Sequence, residues 1–106
     1  MILFRIAFEV DAAKSGQFQQ MVEDVYGPAL SRQRGFASWR LLAPYKDRTG
    51  DEGQETVGWQ LEFEFATEQD RLDWAASADH AEAWAVAVGL AKSYEAHGFD
   101  VAGASA

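Results

Sequence analysis

The chain alternates between apolar and polar residues in three places, and each marks a strand. In "ILFRIAFEV" (2–10), Ile2, Phe4, Ile6, Phe8 and Val10 point one way while Leu3, Arg5, Ala7 and Glu9 point the other, the two-residue period of extended chain. Apolar groups on both sides predict a central strand covered on both faces. "FASWRLL" (36–42) is a second strand, and "TVGWQLEFEF" (56–65) is the sharpest. There Val57, Trp59, Leu61, Phe63 and Phe65 oppose Gly58, Gln60, Glu62 and Glu64. Between the first two strands the period changes. Phe18, Met21, Val22, Val25, Tyr26, Ala29 and Leu30 recur at steps of three and four, predicting an amphipathic helix over 12–33. Asp11 is its candidate cap, Gly27–Pro28 should kink its last turn, and Gly35 ends it.

The second half predicts a helix in two pieces. "PYKDRTGDEGQE" (44–55) is polar and turn-rich, and reads as an exposed loop. Thr67 opens "TEQD", a capping arrangement for a short helix through about Ala76. Ser77 is a second cap, starting at an angle a helix that runs to about Ala96 and is apolar on more than half its circumference. His97 then sits at a helix end, where a cation is favoured, Gly98 stops the helix, and a last short strand lies around Phe99–Val101. The order βαββαβ predicts one ferredoxin-like α+β domain over residues 1–106, a four-stranded antiparallel sheet with its helices on one face.

Composition narrows the function. The 106 residues contain no cysteine, which excludes disulfides, thiolate metal sites and cysteine nucleophiles. No apolar run approaches the ~20 residues of a membrane span, and the first residues include Arg5 and Glu9 without a cleavage site, so a cytoplasmic protein is expected. The net charge of −8 is uneven: seven Lys/Arg face five Asp/Glu in residues 1–50, and two face twelve in 51–106. Such a surface repels phosphate backbones, so nucleic acid is not an expected partner. There is no glycine-rich phosphate loop and no His–carboxylate cluster at ligand spacing, so neither cofactor nor metal is expected.

The candidate chemistry centres on "WAASADHAEAW" (74–84). His80 and Trp84 lie four apart, on one face of a helix. His80 is the candidate catalytic residue, a general acid/base or polar anchor at a pocket mouth; the alternative is a histidine packed at a helix start. Trp39, Trp59 and Trp84, together with Trp74, are candidates to line an aromatic pocket or to fill the core. Arg5 and Arg40 lie within strands. They are candidates for anion or carboxylate recognition, or for pairing with Glu9, Glu62 or Glu64 across strands.

With "FEFATEQDRLDWAASADHAEAWAVAV" (63–88) at its centre, the chain resembles the dimeric α+β barrel superfamily over residues 2–102, and within it the antibiotic-biosynthesis-monooxygenase branch. A strand ending in aromatics, a short helix, a tryptophan and Ser-x-x-His opening a longer helix carry the likeness. The resemblance implies a homodimer whose sheets pack face to face, and Leu3, Ala7, Trp39 or Leu42 would otherwise leave an apolar patch. It also implies a small aromatic ligand, and cofactor-independent oxidation of a phenol or quinol as one function. A non-catalytic dimeric ligand-binding or stress-associated module is the other. Haem degradation, known in the superfamily, is not expected. Ala7 stands where its asparagine would be, and Trp84 where its iron-binding histidine would be.

Overall fold

The structure, a computed structural model, describes residues 1–45 and 55–105, so most of the loop expected over 44–55 lies outside the described residues. Strands β1 (Ile2–Asp11), β2 (Phe36–Leu42), β3 (Thr56–Phe65) and β4 (Ala91–Asp100) form one antiparallel sheet in the order β2-β3-β1-β4. The two most apolar strands are central, paired from Ile2 opposite Phe65 to Asp11 opposite Thr56. Helices α1 (Ser15–Met21), α2 (Gly27–Ser31), α3 (Glu68–Ala75) and α4 (Ala78–Leu90) supply the second layer. Ile6, Phe8, Val10, Leu61, Phe63 and Phe65 from the sheet meet Phe18, Val22, Leu30, Ala83 and Ala87 from the helices. This is the expected ferredoxin-like βαββαβ plan.

The helix expected over 12–33 is broken earlier than at Pro28. A 3₁₀ turn at Ala12–Lys14 leads into α1, and a π turn over Val22–Tyr26 separates α1 from α2. The Gly27 amide donates to the Val22 carbonyl, five residues back. The cause lies in Pro28, which has no amide and whose ring would strike the carbonyl of Asp24 in a regular helix. Widening the preceding turn relieves that clash. Asp11 makes no side-chain cap here; it is the last residue of β1, and its carboxylate lies 3.4 Å from Lys92 Nζ. Thr67 and Ser77 do cap, accepting from the amides of Asp70 and His80.

The end of the chain corrects two expectations. Helix α4 stops at Leu90 rather than near Ala96, and Ala91 is already extended, at φ −101° and ψ 147°. The last strand is therefore ten residues long, not three. His97 consequently caps no helix. It lies mid-strand opposite Arg5, with Nε2 3.4 Å from Glu95.

The sheet face away from the helices carries Leu3, Arg5, Ala7, Glu62, Glu64, His97 and Phe99 in the observed register. Glu62 is 2% exposed. Arg5 Nε donates to its Oε2 at 2.6 Å, and Arg40 Nε to its Oε1 at 2.7 Å. Burial alone would raise the Glu62 pKa, but the two guanidiniums outweigh it and hold the carboxyl below its ordinary range.

Candidate functional site

Between the sheet and the start of α4 lies a cavity of about 240 Å³, walled mainly by Phe4, Phe63, Tyr26, Trp74, Trp84 and Tyr94. Three short devices put it there. The Ser77 cap turns the chain between α3 and α4, so that Trp74 and His80, on different helices, meet edge to face at 5.1 Å and 85°. The four-residue spacing on α4 then stacks His80 over Trp84, with ring centroids 6.0 Å apart and planes 11° apart. Finally, Trp84 meets Tyr94 of β4 at 4.8 Å and 83°. The four rings form a continuous aromatic wall.

His80 is the basic member of this wall. Its amide is used by the Ser77 cap, and among the described residues neither ring nitrogen has a hydrogen-bond partner. Burial lowers its pKa below the ordinary histidine value, because the charged ring would lose solvation. At neutral pH the imidazole is uncharged, with one nitrogen free to accept a proton. Arg71 borders the same cavity. Its guanidinium lies 4.8 Å over the Phe4 ring and is paired to Glu68 on the preceding turn.

The other expected site residues lie elsewhere. Trp59 faces the helices further along β3, donating from Nε1 to Ser15 Oγ at 2.7 Å and packing on Phe18. Trp39 lies against Gly27 so closely that a methyl group there would overlap its indole. Arg5 and Arg40 are on the opposite sheet face, both bonded to Glu62. Of the six expected site residues, the structure brings only His80 and Trp84 to this cavity. It adds Tyr26, Phe4, Arg71 and Tyr94, which the sequence reading left out of the site. In the sequence Tyr26 is one position of the apolar stripe of its helix, marked out only by the neighbouring Gly27–Pro28.

Among the described residues no cluster of three or more His, Cys, Asp or Glu is placed to hold a metal ion, and no helix is long and apolar enough to cross a membrane. The arrangement offers an apolar, mostly aromatic slot with a neutral acceptor at its edge. It can hold a flat ring and take a proton from it.

The sequence matches no protein-family model and no curated protein. Solved structures do match. SnoaB, a cofactor-independent oxygenase from Streptomyces nogalater, superposes in a point-mutant form with a TM-score of 0.77 at 14% identity, covering 97% of this chain and 94% of that one. A structure from Deinococcus radiodurans assigned to the antibiotic biosynthesis monooxygenases has a TM-score of 0.76 at 8% identity, covering 100% and 97%. MhuD, in a point-mutant form with manganese protoporphyrin IX bound, has a TM-score of 0.72 at 19% identity, covering 100% and 99%. Together with the strand order β2-β3-β1-β4, these likenesses show that the chain shares the ferredoxin-like α+β fold of these oxygenase and monooxygenase structures.

Proposed function

We propose that this protein is a small cofactor-independent monooxygenase-like enzyme acting on a phenol- or quinol-type molecule, with His80 as proton acceptor. One observation carries the reading: an uncharged, unbonded imidazole at the edge of an aromatic cavity. Removal of a phenolic proton leaves an electron-rich ring that supplies all four electrons to dioxygen: a ring C–H becomes C–OH with one oxygen atom, the hydroquinone ends as the hydroxyquinone, and the O–O bond breaks with the second oxygen leaving as water. The cofactor-independent activity named for SnoaB agrees with such chemistry. The cavity volume, below the ~300 Å³ where pockets for drug-sized ligands begin, favours one or two rings over a porphyrin.

The test is oxygen consumption with a naphthohydroquinone, without added metal or flavin and corrected for autoxidation. Wild-type protein accelerates it. His80→Ala lowers kcat by about a hundredfold or more, while losing the ring contacts with Trp74 and Trp84, about 1–3 kcal/mol of stability. The rate falls as pH drops through the lowered pKa of His80, because protonation removes the acceptor. The neutral ring also favours the fold. An unfolded histidine titrates near ~6.5, so this contribution is complete above that value and declines as pH falls toward the folded pKa. Saturable binding of the quinol with no turnover would replace the enzyme by a non-catalytic ligand-binding module.

The same reading includes a homodimer built on the open sheet face. Phe99 is 46% exposed there, Leu3 and Leu42 lie on the same face, and Arg5, Arg40, Glu64 and Glu95 give it charges of both signs. Light scattering at micromolar concentration gives twice the chain mass of 11.7 kDa. A persistent monomer would overturn this part.

A further inference from the structure

We propose that Tyr26 is a specificity-determining residue whose hydroxyl donates a hydrogen bond to an acceptor oxygen of a neutral, one- or two-ring aromatic ligand in the cavity. The inference rests on the cavity being a ligand site, as proposed above, and adds the chemistry of what it selects.

Tyr26 is 1% exposed and lines the cavity. Buried tyrosine hydroxyls normally find a partner, yet among the described residues this one has none. No buried side-chain nitrogen or oxygen among them is both fully occluded and unbonded. Tyr26 borders the cavity, and its hydroxyl, without a partner among the described residues, is the polar group it can offer to a ligand there. The ring is held edge-on to Trp74, at 5.8 Å and 66°. The backbone that delivers it is the π turn Val22–Tyr26, an irregularity that recurs at functional sites.

The two polar groups of the cavity are complementary rather than redundant. Burial pushes the Tyr26 phenol far above its ordinary value, so it remains a donor at any working pH, whereas neutral His80 offers an acceptor. A ligand carrying both a carbonyl and a hydroxyl satisfies both. The positive charge bordering the cavity, Arg71, is already neutralised by Glu68. A carboxylate on the ligand would thus be desolvated without a free counter-ion.

Binding to the full-length protein is measured by calorimetry with three probes: 1-tetralone, its oxygen-free counterpart tetralin, and 1-naphthoate. Wild type binds the ketone tightest and the carboxylate weakest. Tyr26→Phe weakens 1-tetralone about fivefold to tenfold and leaves tetralin unchanged. Its melting temperature stays at or above that of wild type, because an unpartnered buried hydroxyl has been removed. Equal affinities of the variant and wild type for the ketone would overturn the role of Tyr26 while leaving the cavity as a ligand site. Tighter binding of naphthoate than of tetralone would overturn the preference for a neutral ligand. Failure of both tetralin and tetralone to bind wild type would remove the cavity reading itself, and this proposal with it.

Discussion

Replacing Trp74 by alanine lowers folding stability by about 3–5 kcal/mol and eliminates ligand binding. The indole is 2% exposed and stands edge-on to three other rings: Tyr26, Phe63 at 6.5 Å and 75°, and His80. Removing it leaves a void beside an existing cavity, in a region bounded by two sheet strands and the Ser77 turn, which have little freedom to collapse inward. A domain of this size has only about 5–15 kcal/mol in reserve, so the loss appears as a fall of well over 10 °C in melting temperature. Calorimetric unfolding checks it, with Trp74→Phe as an intermediate case. A loss below about 1 kcal/mol would mean that the neighbouring rings close the gap, and that the wall of the cavity is not rigid.

Gly35→Ala carries the second large effect, a loss of about 2–4 kcal/mol. Gly35 has φ 76°, the left-handed region where a side chain costs energy. A methyl group there would also overlap the Asp70 carboxylate, which is held by the Thr67 hydroxyl at 3.0 Å. The Gly35 carbonyl accepts from the Ala66 amide at 2.8 Å. The residue thus joins the entry of β2 to the exit of β3 and the start of α3. Urea unfolding of Gly35→Ala, Asp70→Ala and the double variant separates the two causes. If the clash matters, the double variant is more stable than the sum of the single losses predicts. Strict additivity would assign the whole effect to the backbone.

The three strands with a clear two-residue period, the two helix caps in the second half and the fold class were legible in the residues. β4 was not, for a physical reason. Lys92, Glu95 and Ala96 are ordinary helix residues, and all but the first position of this edge strand are exposed, so burial imposes no alternation on the sequence. What ends α4 is its contact with the sheet, a tertiary fact without a sequence signal beyond Gly89. The candidate site was half visible. His80 and Trp84 share a helical face by spacing alone. Tyr26 and Tyr94 come from the first helical stretch and the last strand, and only the packing brings them to the same space. Arg5 and Arg40 were conspicuous as charges in strands, but which sheet face they occupy depends on register with Glu62, and that became visible only in the folded sheet.

Helix α4 passes directly into β4 at Leu90 and Ala91, with no connecting loop. Most helix–strand junctions absorb insertions and deletions in their loops, but this one has no slack. An added residue would rotate the helix by about 100° relative to the strand, or turn the strand over. In the first case His80 and Trp84 leave the cavity. In the second, Tyr94 and Ala96 exchange places with Glu95 and His97. Beyond the register shift that already leaves Lys92 unpaired beside the junction, the segment from Ser77 to Asp100 therefore behaves as a ruler, and a change in residue number there moves the cavity wall where a substitution would not.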